Sequence, residues 1–204
     1  MYLVLELMDL GSMERIIKWG DYSEDFCRYT LYKVALGLSK MHKHGVLHRD
    51  IKSYNVLFSA TNESSNIKIT DLGSSCFLSK QGEEGYVKRR KGTPNWMPPE
   101  IHLGELYTTA TDVWSFGCFA HELASGTPPF ANITNRKKLG DALIHNDVDI
   151  EEAVAGRGPW SDTFIDFIQM CLKRCPEDRF TIDRLLYEHD FLAGINVPKC
   201  QAIW

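Results

Sequence analysis

The sequence predicts a mainly α fold with a small β hairpin, and three observations predict it. From Glu24 to Lys43 apolar residues recur at Cys27, Leu31, Val34, Ala35, Leu38 and Met41, a helical stripe of about five turns. The same period returns near 112–125, 135–145, 161–174 and 181–188. Between these helices two short apolar runs, Val56-Leu57-Phe58 and Ile67-Lys68-Ile69, flank a polar stretch from Asn62 to Asn66, as the arms of a hairpin do.

Taken in order, residues 2–7 are short and apolar and read as a strand entering a buried region. The long helix follows, and Gly45 stands where a left-handed turn ends it. Val46-Leu47 reads as a short strand before the hairpin. Residues 73–100 hold Gly, Ser, Lys and Pro without a sustained period; a loop this long inside a compact domain tends to be functional. No repeat or linker divides the chain, so residues 1–204 read as one domain.

Composition limits the function classes. Twenty-three basic and 27 acidic residues give a net charge of −4, so no basic excess points to nucleic acid or an anionic membrane. The N-terminal apolar run is short, lacks a basic flank and contains Glu6, so it reads as neither a signal peptide nor a membrane span. The six cysteines are scattered, with no C-x-x-C pair. They read as reduced thiols, which places the chain in the cytoplasm, with the nucleus as the alternative. Cys171 and Cys175, four apart on a helix, lack the further ligands of a metal site and read as core packing, as do His42 and His44.

Three strings carry chemistry. The first is His48-Arg49-Asp50-Ile51-Lys52-Ser53-Tyr54-Asn55. An isolated H-R-D favours a solvated ion pair in a loop, but Lys52 and Asn55 in register tell against that. The second is Asp71-Leu72-Gly73, directly behind the hairpin. The third runs from Gly92 through Thr93-Pro94-Asn95-Trp96-Met97-Pro98-Pro99 to Glu100, continues in Asp112-Val113-Trp114-Ser115-Phe116-Gly117, and is completed by Arg179.

These strings resemble, in order, the catalytic loop, the D-F-G metal-binding motif, and the end of the activation segment with the central helix of eukaryotic serine/threonine protein kinases. The resemblance runs from the hinge to the last helix and implies a protein-kinase-like large (C-terminal) lobe, with the small lobe absent and residues 71–100 as the activation segment. Lys52 and the segment from Gly92 to Glu100 favour serine/threonine over tyrosine kinases. The stretch from Pro159 to Leu192 resembles the sterile group of kinases.

What the resemblance implies is specific. ATP and Mg²⁺ are the cofactors, and a protein Ser/Thr hydroxyl is the acceptor. Asp50 accepts or orients the hydroxyl proton, and Lys52 balances charge on the γ-phosphate. Asn55 and Asp71 hold Mg²⁺ through hard oxygen ligands. Leu5 falls at the gatekeeper; the hinge backbone at Glu6 and Met8 binds adenine, and Leu57 forms the floor beneath it. Asp112 holds the catalytic-loop backbone, Glu100 pairs with Arg179, and the Thr93 hydroxyl lies near Asp50 and Lys52. Protein substrates and a regulatory protein are the implied partners.

Three departures qualify the resemblance. No Gly-rich phosphate loop, strand lysine or helix glutamate precedes the hinge, so this chain alone is expected to be inactive. Leu72 stands where the motif has Phe and supplies a smaller apolar plug. Lys88-Arg89-Arg90-Lys91 occupies the place of a phosphorylatable hydroxyl, close to Arg49. Glu83 and Glu84, a phosphate on Ser79 or Tyr86, or an acidic partner could offset its charge, the glutamates being favoured because they need no second enzyme. A kinase fold that holds partners without catalysis is the alternative reading. Intact Asp50, Lys52, Asn55 and Asp71 oppose it; the missing lobe favours it.

Overall fold

The computed structural model describes residues 4–59, 66–78, 90–155 and 157–195. The first regular element is a two-residue strand, β1 (Gly11–Ser12), followed by helix α1 (Met13–Trp19). The expected strand at residues 2–7 is therefore not found in its described part, residues 4–7. Leu7 is 82% exposed, and the chain meets the sheet only at Leu10, whose N–H donates to the Phe58 carbonyl. A strand forms where a partner can take its backbone groups, and a turn closed by Gly11 N–H on Met8 O delays that meeting.

Helix α2 (Glu24–Lys43) matches the expected span. The Ser23 side chain accepts from Phe26 N–H, Glu24 and Asp25 sit in the first turn, and Lys40, His42 and Lys43 sit in the last, so cap and charges suit the helix dipole at both ends. Gly45 ends the turn beyond it at φ 68°, a backbone conformation that costs glycine nothing.

Strand β2 (Val46–Leu47) pairs antiparallel with β5 (Cys76–Phe77), with Leu47 opposite Cys76. Strands β3 (Val56–Ser59) and β4 (Asn66–Ile69) form the expected hairpin, Val56 opposite Ile69 and Phe58 opposite Ile67, and β1 adds a third strand to β3. The polar connection at 60–65 lies outside the described residues.

The helical remainder comprises α3 (Pro99–Leu103), α4 (Thr109–Ser125), α5 (Arg136–His145), α6 (Ile150–Val154), α7 (Asp162–Cys171) and α8 (Ile182–Tyr187). Helix α4 begins in a reciprocal Thr108–Thr111 capping box and is buried on every side from Thr111 to Ser125, so it forms the axis of the domain. A Cβ on Gly117 would stand 2.5 Å from the Cys171 Cβ; glycine lets α4 and α7 pack that closely. The four longer helices follow the sequence periods. Helices α1, α3 and α6 went unpredicted, whereas α8, of similar length, follows the period near 181–188.

Two cysteine and histidine expectations are corrected. Cys171 is core, but Cys175 is exposed, with its thiol on the Glu177 carboxylate. His44 is exposed and bonds the Lys40 carbonyl, and His42 bonds Asp112, so neither is a packing residue. A polar ring near a helix end finds a partner more readily than a place in the core.

Candidate active site

The site is built outward from one buried carboxylate on the central helix. Asp112 accepts the backbone N–H groups of His48 (2.9 Å) and Arg49 (2.7 Å), and its Oδ2 is 2.9 Å from His42 Nε2. Those bonds hold Arg49 at φ 66°, a left-handed conformation that costs a non-glycine residue about 1–3 kcal/mol. The next residue is thereby turned into the loop: Asp50 N–H donates to His48 Nδ1 at 3.3 Å. The other ring nitrogen of His48 then carries the proton and donates to Thr70 O at 3.0 Å.

Asp50, Lys52 and Asn55 come together as the sequence implies, and Thr93 joins them from the segment before α3. Asp50 Oδ2 accepts from Lys52 Nζ (2.9 Å) and Asn55 Nδ2 (3.1 Å); Asp50 Oδ1 accepts from the Thr93 hydroxyl (2.7 Å). Lys52 Nζ also donates to Thr93 Oγ1 at 2.7 Å. Burial alone would raise the Asp50 carboxyl, but the bonds and charge of Lys52, with those from Thr93 and Asn55, outweigh it. The group is held below the usual carboxylate range. The loop therefore presents a carboxylate that is ionised near neutral pH.

Asp71 is not joined to that network by its own side chain. Its carboxylate is exposed and, among the described residues, accepts only Gly73 N–H, at 3.2 Å. The backbone makes the connection: Thr70 N–H donates to Asn55 O at 2.9 Å, which places Asp71 one residue from the catalytic-loop string. Both hydrogen bonds of the Asn55 amide nitrogen go to Asp50, leaving its amide oxygen as an acceptor. One free amide oxygen and one exposed carboxylate are the donor set that Mg²⁺ takes when it arrives with phosphate oxygens and water. Among the described residues no cluster of three His, Cys, Asp or Glu offers an all-protein metal cage.

The residues expected to face a nucleotide lie along or near the sheet. Leu57 is half-buried on β3 and faces away from its core neighbours Val56 and Phe58, as strand alternation requires. The Glu6 carboxylate pairs with Lys68 of β4. Met8 gives its carbonyl to Gly11, while the Glu6 carbonyl and Met8 N–H bond nothing among the described residues. Leu5 and Leu72 are 68% and 63% exposed, so the expected plug at Leu72 covers nothing among the described residues.

The segment leading into α3 is fixed by contacts the motifs did not all reveal. Arg179 donates to both oxygens of Glu100 (2.7 and 2.8 Å), with both side chains buried, as expected. Arg179 also serves the carbonyls of Lys173, Ala110 and Arg174. Glu122 was missed. Buried on α4, it accepts from Ser53 Oγ (2.6 Å) and Trp96 Nε1 (3.3 Å), tying the catalytic loop to the segment. Burial pushes its carboxyl up to about 7 against the bonds from Ser53 and Trp96. A carboxylate inside the apolar run from Val113 to Ala124 was the available signal.

Tyr107 was missed as well. Its hydroxyl accepts Lys91 N–H (2.7 Å) and donates to Lys91 O (2.8 Å), and its ring lies 5.1 Å from the Arg49 guanidinium. Of the four-cation run, Lys88 and Arg89 lie outside the described residues, with Ser79, Glu83, Glu84 and Tyr86. Arg90 bonds the His102 carbonyl, and Arg49 is held by Ser74 O and the Tyr107 ring.

A loop slung from a buried helix aspartate, facing a segment anchored by a buried Glu–Arg pair, defines the protein kinase class. Residues 1–192 match the family described as "Protein kinase domain", and the chain belongs to that family. Relatives include the serine/threonine-protein kinase PLK4 of Xenopus tropicalis (32% identical over 96% of this chain and 20% of that protein). The serine/threonine-protein kinase sid1 of Schizosaccharomyces pombe is 31% identical over 98% of the chain and 40% of its own length. A calcium/calmodulin-dependent protein kinase type 1 of Caenorhabditis briggsae is 34% identical over 95% and 52%. The chain thus spans 20% to 52% of these proteins. Near-equal identity to differently named kinases does not single out the sterile group.

Proposed function

We propose that the full-length protein transfers the γ-phosphoryl group of ATP to Ser or Thr hydroxyls of protein substrates. The observation that carries this reading is the four-residue constellation of Asp50, Lys52, Asn55 and Thr93, closed by hydrogen bonds of 2.7–3.1 Å. Mg·ATP, when bound, supplies the transferable phosphoryl group; protein kinases generally use this pair. Asp50 takes the proton of the acceptor hydroxyl, which requires it to be ionised, and its lowered pKa keeps it so. Lys52 keeps a positive charge beside the reacting oxygens, and Thr93 fixes both side chains in one geometry. Asn55 and Asp71 hold the cation, and the Glu6 carbonyl with the Met8 N–H receives the adenine edge over Leu57.

The 204 residues by themselves offer one side of such a site. Val4, Leu5, Leu7 and Leu72 are exposed apolar side chains, and a second wall would have to cover them before positioning becomes effective. One experiment tests both statements. Phosphotransfer to a Ser/Thr substrate is measured for the full-length protein, its Asp50→Asn variant and the 204-residue chain. The expected result is turnover by the first, a loss of at least about a hundredfold in kcat in the variant with nucleotide binding retained, and little or none by the chain alone. Undiminished turnover by Asp50→Asn rejects the assignment. Nucleotide and partner binding without turnover in the full-length protein would favour the non-catalytic alternative.

A further inference from the structure

Beside Thr93 lies a cavity of about 120 Å³ lined by Arg90, Gly92, Pro94, Met97, His102 and Arg136. Its volume equals roughly four waters at about 30 Å³ each, enough for a carboxylate or a phosphate group. Two of its lining residues, Gly92 and Pro94, flank the threonine whose hydroxyl bonds Asp50. Consecutive residues are about 3.8 Å apart, so the cavity begins within a residue or two of the proposed point of transfer.

The two side chains with a fixed charge that line this cavity, Arg90 and Arg136, are both cations. Arg136, Lys137 and Lys138 open α5, all exposed and with no acidic residue in that first turn. Three cations there oppose the helix dipole, which favours acids at a helix N-terminus; α2 and α6 place Glu24, Asp25, Glu151 and Glu152 in that position. Asn135 caps the helix with its side-chain oxygen on the Lys137 and Lys138 N–H groups, so α5 starts there despite the charge. None of the three cations has an ion-pair partner among the described residues. Of the acids in α3, α5 and the turn after α3, Glu100 is committed to Arg179, and Glu105 and Asp141 form no ion pair among the described residues. Among the described residues Arg90 bonds the His102 backbone carbonyl and no carboxylate. His102 Nε2 is shielded from solvent and meets no hydrogen-bond partner among the described residues, while the Pro94 backbone acts on the same ring.

The backbone brings these groups together. Gly140 faces His102, and a Cβ there would come within 3.1 Å of the His102 ring, so glycine allows α5 to lie against α3. Arg136 is four residues before Gly140, on the same helix face, and is carried to the cavity rim. A local rule broken next to a proposed reaction centre is where a binding feature is expected.

We infer that this cavity selects substrates carrying an anionic side chain within about three residues of the phosphorylated hydroxyl, with Arg90 and Arg136 as the specificity-determining residues. The inference rests on the proposed protein-kinase activity and deepens it. Acidic and phosphorylated residues share the recognised chemistry, since arginine guanidinium binds carboxylate and phosphate alike.

The test uses a positional set of Ser/Thr peptides with Ala, Asp, Arg or phosphoserine at each place from three before to three after the acceptor. Full-length protein is assayed for kcat/KM, and the 204-residue chain for binding by fluorescence anisotropy. An anion at one position should raise kcat/KM about tenfold or more over Ala, mainly through KM, and Arg should lower it. Arg136→Glu and Arg90→Gln should each reduce that preference. Equal response to Asp and phosphoserine identifies charge as the selected feature; a response to one alone identifies the source. Phosphorylation with no anionic preference overturns the inference, as does a preference unchanged in both variants. If no peptide is phosphorylated but anionic peptides bind with dependence on Arg136, the cavity assignment stands and the phosphotransfer reading falls. Absence of both overturns the inference.

Discussion

Glu122 gives a quantitative test of how the loop and the segment are joined. Its carboxyl, ordinarily near 4.5, is pushed up to about 7 by burial against Ser53 and Trp96. In the folded state the protonated form is therefore favoured across the interval from 4.5 to about 7. The folded protein then binds more protons than the unfolded chain, and stability falls as pH rises through that range. At about 1.36 kcal/mol per pH unit the full effect is about 3 kcal/mol. It is present below pH 4.5 and lost above the folded pKa. Glu122→Gln mimics the protonated acid. Its amide oxygen can accept from Trp96 Nε1, and its NH₂ can donate to Ser53 Oγ. Urea unfolding of wild type and variant at pH 4 and pH 8.5 measures the difference. The variant should gain about 3 kcal/mol relative to wild type between those pH values. Because other titrating groups are common to both proteins, the difference isolates residue 122. Parallel stability–pH curves for the two proteins would refute the reasoning.

Two further expectations concern the supports around the site. Arg179→Leu should cost about 3–5 kcal/mol, because it strands the buried Glu100 and removes donors from three carbonyls; Glu100→Gln should cost less, since Arg179 keeps those carbonyls. Equal losses in denaturant unfolding would contradict that asymmetry. Asp112→Asn removes one acceptor oxygen from the His48 and Arg49 amides and should cost about 1–3 kcal/mol. Hydrogen exchange at those two amides should accelerate selectively, and exchange unchanged there would show that the loop is held elsewhere.

The parts of this architecture that could be read from sequence are those whose physics is local or whose spacing is fixed. The α2 stripe announces itself because about five turns of period leave little ambiguity, and Ser23 and Gly45 punctuate it chemically. Asp50, Lys52 and Asn55 share one short loop, so their order already implies their proximity. The early strand failed for the opposite reason. Apolar character at residues 2–7 reports a wish to be covered, whereas a strand requires a partner with open backbone groups, which arrives only at Phe58. Glu122 and Tyr107 escaped notice because neither belongs to the three motif strings, and each meets its partner at a distance in sequence, 69 residues to Ser53 and 16 to Lys91. No short string records such a meeting.

His42 shows the same limit from another side. By sequence it was an unexceptional histidine near a helix end, and its meaning comes from Asp112, 70 residues later. Asp112 in turn is anticipated only through the resemblance to protein kinases, and it meets the backbone of His48 and Arg49, just before Asp50. The consequence is a division of labour within the site. Asp50 and Lys52 occupy positions where the chemistry fixes residue type. Asp112, Glu122 and Tyr107 set where those two side chains stand, through backbone or neighbouring groups they hold directly. Substitution in the second group should therefore act on geometry before it acts on charge, which is why Glu122→Gln can stabilise the fold at high pH while leaving the loop in place.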